Sequence, residues 1–225
     1  HMLRYYLGDE VFFKGLNSYL VNNKFKTAEF HNLRMAFEEV SGEDLNWFFD
    51  QWFLGKGHPI VHTSQVINSE NNTVTINVKQ KQNTDDFPLY KLPVNVAIWD
   101  ANGKRTEKIV LENLEENFTF SFSGELKNIL FDEQQMLLGK YYEEKPLSQY
   151  VHQYYNSSRY KARASAIALA QRTKNSDSEK LLFDALKDPF WNIRILALPS
   201  IENEKNDLGI ETLARIKELA KSDPK

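Results

Sequence analysis

The strongest chemistry this chain could carry is a metal site built from histidines and carboxylates, and its five histidines are the first test of it. A zinc site of the HExxH type needs two imidazoles one helical turn apart with a glutamate between them, so that both nitrogens reach one ion while the carboxylate activates its water. None of His1, His31, His58, His62 and His152 is followed by glutamate, and their neighbours do not fit the inverted motif either. His58 and His62 imitate a metal pair in their i, i+4 spacing. Pro59 and the β-branched Ile60 and Val61 between them favour extended backbone, however, which puts the two Cα atoms roughly 13 Å apart. The pair is expected to mark entry into a strand. Glu43 and Asp50 read as surface and capping charges rather than an acid and base pair, because nothing in the sequence supplies desolvation or a second titrating partner. The expectation is that this chain holds no catalytic, cofactor-binding or metal-binding residues of its own.

Composition narrows the classes further. The chain has 225 residues, 41% hydrophobic and 13% aromatic, enough to bury a substantial core in one large domain or two to three small ones. Its 28 basic and 31 acidic residues leave a net charge of -3, so no global field favours nucleic acid or an anionic membrane as partner. The absence of cysteine excludes disulfides, thiolate metal sites and cysteine nucleophiles in this chain, and does not decide the compartment. No apolar run approaches the roughly 18 to 20 residues needed to span a bilayer, and no secretory signal is visible. His1-Met2 reads as a remnant of cloning.

The elements that would position any site begin with helices. Met2 to Leu7 reads as the tail of a helix stopped by Gly8. Asp9 is expected to cap a second helix that lines up Phe12, Leu16, Tyr19 and Asn23, with Phe13 and Leu20 on its apolar side. Thr27 is the expected N-cap of a third helix, in which Phe30, Leu33, Phe37 and Val40 repeat until Ser41-Gly42 ends it. Leu45, Phe48, Phe49 and Trp52 then follow at i, i+3, i+4, i+7, the stripe of a short amphipathic helix. At this spacing the aromatics read as core rather than a ligand-stacking platform.

The ordered set Leu3-Arg4-x-x-Leu7-Gly8-Asp9-Glu10-x-Phe12, Tyr19-Leu20, Thr27, Leu33, Ser41-Gly42-x-Asp44-Leu45-x-x-Phe48-Phe49-Asp50-Gln51-Trp52 and Gly57-x-Pro59 resembles the gluzincin aminopeptidase family, the relatives of aminopeptidase N and leukotriene A4 hydrolase. In that family these helices close a thermolysin-like catalytic domain, and a β-sandwich and a helical-repeat domain follow. The HExxH motif, the third-ligand glutamate and a transition-state tyrosine lie upstream of the segment corresponding to Leu3 to Gly8. The resemblance therefore implies a C-terminal fragment of such an enzyme that lacks the zinc-binding motif.

From Pro59 the hydrophobic period changes from helical to alternating. Pro59 to Ile67, Thr73 to Gln80, Leu92 to Trp99, Lys104 to Leu111, Asn117 to Phe122 and Asn128 to Phe131 read as short strands. Turn chemistry such as Asn71-Asn72 and Asp100-Ala101-Asn102-Gly103 separates them. Their number and spacing predict an antiparallel β-sandwich, which the resemblance makes Ig-like. Val74, Ile76 and Val78 should face the core, and Phe118, Phe120 and Phe122 should do the same.

After Asp132 the pattern is expected to turn helical and stay so. Tyr160-Lys161-Ala162-Arg163-x-x-Ala166-x-x-Leu169 is echoed by Trp191-Asn192-Ile193-Arg194-x-x-Ala197-Leu198, with aromatic, arginine and alanine each displaced by 31 residues. Such a repeat points to a HEAT- or armadillo-like solenoid, where a periodic arginine holds a neighbouring acid or carbonyl. Arg163 and Arg194 are accordingly read as packing residues in preference to a carboxylate-binding row. The closing Ser222-Asp223-Pro224-Lys225 echoes Asp188-Pro189, so the parent is expected to continue into another repeat. The adjacent pairs Leu89-Tyr90, Tyr141-Tyr142 and Tyr154-Tyr155 could line a groove, but are expected to straddle core and surface. Asn71, Asn117 and Asn156 open glycosylation-type triplets that are read as chance matches.

The resulting expectation is a multidomain α + β chain. Residues 1–57 would be the helical end of a catalytic domain, 58–132 the β-sandwich, and 133–225 a truncated HEAT-like domain. By the resemblance, the parent removes N-terminal residues from peptides with a zinc ion, while this fragment is inactive alone and supports or shapes the site. The alternative is a non-catalytic scaffold of the same family.

Overall fold

A computed structural model describes residues 1–173, 175–198 and 210–222. Two compact units divide the chain: one of His1–Val96, Thr106–Ser121 and Met136–Glu144, the other of Ala97–Arg105, Phe122–Gln135 and Lys145–Lys225.

The first unit opens with helices α1 (Met2–Leu7), α2 (Asp9–Asn22), α3 (Phe30–Ser41) and α4 (Asn46–Phe49), the last running into a π-helical turn at Asp50–Leu54. Gly8 ends α1 as expected, its N–H donating to the Arg4 carbonyl at 2.9 Å. Asp9 does not cap α2 but sits in its first turn, gripped by Arg4 through two bonds of 2.8 Å. A carboxylate there also faces the positive end of the helix dipole. The entry to α3 is Glu29 rather than Thr27, and its N–H donates to Asn32 Oδ1 at 2.8 Å. Gly42 closes α3 in the left-handed conformation, φ 72°, where a side chain would be strained.

The core of this helical part is Leu3, Phe37, Leu45, Phe48 and Phe49, with Phe12, Leu16, Leu33, Trp47 and Trp52 packed around it. Helices α2 and α3 approach closely at Gly15, where an added Cβ would lie 2.4 Å from Phe37 Cδ1. Phe12 stacks on Phe37 with ring centroids 5.2 Å apart. Phe13 and Leu20, expected on the apolar side of α2, are 51% and 59% exposed. Beyond Phe49 the backbone widens, and Gly55 N–H bonds to the Asp50 carbonyl at 2.7 Å in the five-residue spacing of a π-helix. Trp52 thereby lies against buried Tyr90, with centroids 5.5 Å apart.

Among the described residues seven strands follow, β1 (Ile60–Asn68), β2 (Thr73–Gln80), β3 (Leu92–Asp100), β4 (Gly103–Leu111), β5 (Glu115–Ser121), β6 (Asn128–Phe131) and β7 (Lys140–Glu144), of which β6, the end of β3 and the start of β4 belong to the second unit. One sheet is ordered β5-β2-β1-β7 and the other β4-β3-β6. Val74, Ile76 and Val78 alternate inward along β2 as expected, while Phe118 and Phe120 are half-buried and Phe122 is buried. The strands are not all antiparallel. β1 pairs antiparallel with β2 but parallel with β7, where Val61 faces Tyr141 and Thr63 faces Glu143. The helical pattern expected straight after Asp132 is thus interrupted by a strand. Lys140-Tyr141-Tyr142-Glu143-Glu144 reads poorly as one from sequence because three of its five residues are charged, and its pairing partner lies far back in the chain.

Gln80 occupies the next inward position of β2 and is 1% exposed. Its side chain takes the Tyr90 N–H at 3.0 Å and donates to the Tyr90 carbonyl at 2.7 Å, as a neighbouring strand would. Gln82 extends the network, donating to Gln80 Oε1 at 2.8 Å and to the Pro88 carbonyl at 3.1 Å. These amides satisfy the backbone of the segment before β3, which explains why two polar side chains tolerate burial.

The second unit carries α5 (Leu147–Asn156), α6 (Tyr160–Ala170), α7 (Ser176–Ala185), α8 (Trp191–Ala197) and α9 (Ile210–Ser222). Its core joins Tyr150, Tyr154, Ala166, Ile167, Ala170, Leu181, Ala185, Leu186, Ile193 and Ala197. Alanines at the contacts let the helices approach closely. Asn175 and Ser178 bond reciprocally at the start of α7, Oδ1 to N at 2.9 Å and N to Oγ at 3.2 Å. The Asp223-Pro224 pair, read above as the opening of a further repeat, lies outside the described residues.

Candidate functional site

Within the first unit, a cavity of about 370 Å³ opens among α1, the α4 segment, β3, β4 and the residues around Met136. Helix α1 brings both Tyr5 and Tyr6 to its lining, and Trp47, Phe48 and Trp52 of the α4 segment and the π-helical turn complete the aromatic wall. Strand β3 supplies Lys91-flanked Val94 and Asn95, and β4 supplies Lys108 and Val110.

The aromatic wall is rigidly braced. Tyr6 meets Trp47 edge to face at 5.5 Å, and Trp47 meets Phe48 likewise at 5.6 Å. The Tyr6 hydroxyl donates to Glu43 at 2.7 Å, and burial followed by that bond pushes its phenol up to about 12. Asn95 donates to the Tyr5 hydroxyl. Lys91 is committed twice: its ammonium lies 5.3 Å from the centre of the Trp47 ring and 2.8 Å from Glu112. Its backbone is fixed by Gln51, which accepts from the Lys91 N–H at 2.8 Å and donates to its carbonyl at 3.1 Å. The cavity can bind an apolar body. Its lining combines aromatic and aliphatic side chains with Asn95, Lys91 and Lys108.

The histidines weighed in the sequence do not converge on this cavity. His31 lies 3.4 Å from Glu29 at the start of α3. His58 precedes β1, and His62 lies within β1 with its ring 4.7 Å from that of Tyr142. His152 belongs to the second unit, edge-on to Trp99 at 5.7 Å, and its imidazole titrates below the usual range because it is desolvated and near Lys127 and Lys145. Among the described residues no three His, Cys, Asp or Glu side chains are grouped as a metal would need. The donors among the described residues therefore do not fit a zinc site.

Glu43 is the acceptor for Tyr6, and Asp50 is exposed at the start of the π-helical turn. Arg163 and Arg194 are turned into the second unit. Arg163 pairs with Asp188 at 2.5 Å, and Arg194 donates to the carbonyls of Asp188 and Pro189 at 2.8 and 3.0 Å. Asp188 also accepts from the Tyr154 hydroxyl at 3.2 Å. The two repeat arginines thus hold one acidic turn from both sides. The cavity itself is not legible in the sequence, although the core reading of these aromatics holds, since Phe48 is buried in the helical core and Trp47 packs against it. The signal available was Trp47 lying off the strict Leu45, Phe48, Phe49, Trp52 stripe.

Comparison with known proteins gives this geometry a context. Residues 1–52 match the peptidase family M1 domain. Aminopeptidase N of Lactococcus lactis subsp. lactis is 34% identical over 98 residues, 42% of this chain and 11% of the relative. Puromycin-sensitive aminopeptidase of Caenorhabditis elegans is 28% identical over 124 residues, 52% of this chain and 13% of the relative. Probable aminopeptidase 1 of Sulfurisphaera tokodaii is 28% identical over 126 residues, covering 55% and 15%. The chain thus spans between 11% and 15% of the length of these relatives. The fold is similar to that in the crystal structure of Legionella pneumophila aminopeptidase A in complex with aspartic acid. The TM-score is 0.70 at 13% identity, with 97% of this chain and 28% of that one covered. That likeness concerns architecture, a mixed α + β chain. Through its opening helices, residues 1–52, this chain is similar to the peptidase family M1 domain, and it aligns with a short segment of longer aminopeptidases.

Proposed function

We propose that the chain is part of a zinc metallopeptidase that removes residues from the N-termini of peptides, and that this segment supports the active site without performing the chemistry. The observation that carries the reading is the match of residues 1–52 to the peptidase family M1 domain. In this reading, residues 1–57 end a thermolysin-like catalytic domain, 58–132 form an Ig-like sandwich, and 133–225 form a HEAT-like domain. Support for the second assignment is the pair of sheets with inward alternation along β2. Support for the third is the repeat-related pair of arginines converging on the Asp188 turn. Peptides would engage the parent's catalytic domain, and zinc would be held by residues outside this segment.

The test has two arms. Purified chain, with and without added zinc, is expected to give no turnover of aminoacyl p-nitroanilides and no stoichiometric zinc by elemental analysis. Measurable turnover would overturn the supporting role. The coding sequence upstream of Leu3 is expected to contain HExxH and a glutamate some twenty residues later; without them the parent would be a scaffold of the same family.

A further inference from the structure

The cavity of the first unit has a chemistry that the proposed supporting role does not use. Its lining is mostly apolar or aromatic, from Met2, Trp47, Phe48, Trp52, Val94 and Leu137. Two cations border it and no carboxylate lines it. Lys91 is neutralised by Glu112 at 2.8 Å. Lys108 is exposed on β4 and has no ion-pair partner among the described residues. The space, about 370 Å³, matches the lower end of small-molecule sites and admits a ligand of one ring and a short chain. The edges of the rings are held by Glu43 on Tyr6 and Asn95 on Tyr5, so the wall is formed before any ligand arrives.

We propose that this cavity binds a small aromatic carboxylate, with its ring among Trp47, Trp52 and the tyrosines and its carboxylate at Lys108. An apolar body is favoured by the lining, and an anionic end by the one bordering charge that has no counter-ion. A cationic ligand would meet Lys108 without an opposing lining carboxylate. The inference is independent of the peptidase reading, because it concerns only residues within the first unit and needs no turnover.

The test uses the full chain with 4-phenylbutyrate and its neutral counterpart 4-phenylbutanol, titrated by saturation-transfer NMR and by quenching of tryptophan emission. 4-Phenylbutyrate should bind saturably near the millimolar range expected of so small a ligand. The alcohol should bind about two- to fivefold more weakly, the scale of an exposed ion pair. Lys108→Met should erase that difference while leaving alcohol binding unchanged, and Val110→Trp, at a position 41% exposed, should block both ligands. Circular dichroism confirms that each variant is folded, with Val110→Phe as a second blocking variant if the tryptophan perturbs the strand. Absence of saturable binding, equal affinity for acid and alcohol, or binding unaffected by a folded blocking variant would each overturn the proposal. Retention of the preference in Lys108→Met would do so as well. None of these outcomes bears on aminopeptidase turnover.

Discussion

Replacement of Asp188 by alanine should be among the most damaging single changes in the second unit. The Asp188 side chain is 4% exposed and accepts from three donors: Arg163 at 2.5 Å, the Tyr154 hydroxyl at 3.2 Å and the Phe190 N–H at 2.8 Å. Its removal strands a guanidinium that is itself only 16% exposed, and leaves a buried phenol without its acceptor. Breaking a buried pair from one side costs roughly 3 to 5 kcal/mol, because the surviving charge keeps its desolvation penalty and loses its counter-ion. Removing the other partner as well relieves that penalty. Arg163→Met alone should therefore be costly, yet the double variant Arg163→Met/Asp188→Ala should be more stable than the sum of the single effects by about 1 kcal/mol or more. Urea unfolding followed by circular dichroism gives the free energies, and amide exchange across residues 147–198 locates the loss in α5 to α8. The reasoning is refuted if Asp188→Ala unfolds within about 0.5 kcal/mol of the parent chain, or if the two substitutions simply add.

Two further perturbations test the packing and electrostatics. Gly15→Ala should destabilise the first unit despite the better helix propensity of alanine, about 1 kcal/mol in its favour, because the new Cβ would fall 2.4 Å from the ring of fully buried Phe37. A net loss near 1 kcal/mol in thermal or urea unfolding is expected, and a gain would show that the α2–α3 contact relaxes freely. Asp100 is buried and accepts from the N–H groups of Ser123 at 3.0 Å and Asn102 at 2.8 Å and from Arg105 at 2.8 Å. These bonds, the Ser123 N–H foremost, hold its carboxyl below its ordinary value of 3.8. Its folded-state value is depressed, so its stabilisation is present above the ordinary value and disappears as pH falls through the folded-state one. The stability difference between the parent and Asp100→Asn, measured by urea unfolding from neutral pH downward, should shrink only below about pH 4. A difference that stays constant into stronger acid would remove the assigned role.

Periodicity made much of the architecture legible. Leu33 and Phe37 make α3 legible and Val74, Ile76 and Val78 make β2 legible, because a face that must leave water is written at the period of its own element, although Phe30 of the same stripe stays 42% exposed. Helix entries were less legible. Thr27 and Asp9 both have cap chemistry, yet Glu29 enters α3 and Asp9 is taken by Arg4, since the choice depends on which side chain the fold brings alongside. β7 escaped notice because its identity as a strand comes from its parallel partner β1, over seventy residues earlier, rather than from its own charged residues. The candidate cavity was illegible for the same reason: Tyr5, Trp47, Asn95 and Lys108 come from four separate stretches of chain.

By itself the sequence determined what each stretch must bury, the absence of thiol chemistry, the lack of an HExxH pair and the repeat that relates Arg163 to Arg194. These follow from residue type and local spacing, which need no knowledge of distant contacts. Only the tertiary structure decided that both arginines close on the Asp188 turn, that Gln80 stands in for a strand, and that an aromatic cavity forms beside Lys108, which has no counter-ion among the described residues. Each of those depends on which far-separated polar groups and rings share a space from which water has been excluded, and that is settled by packing.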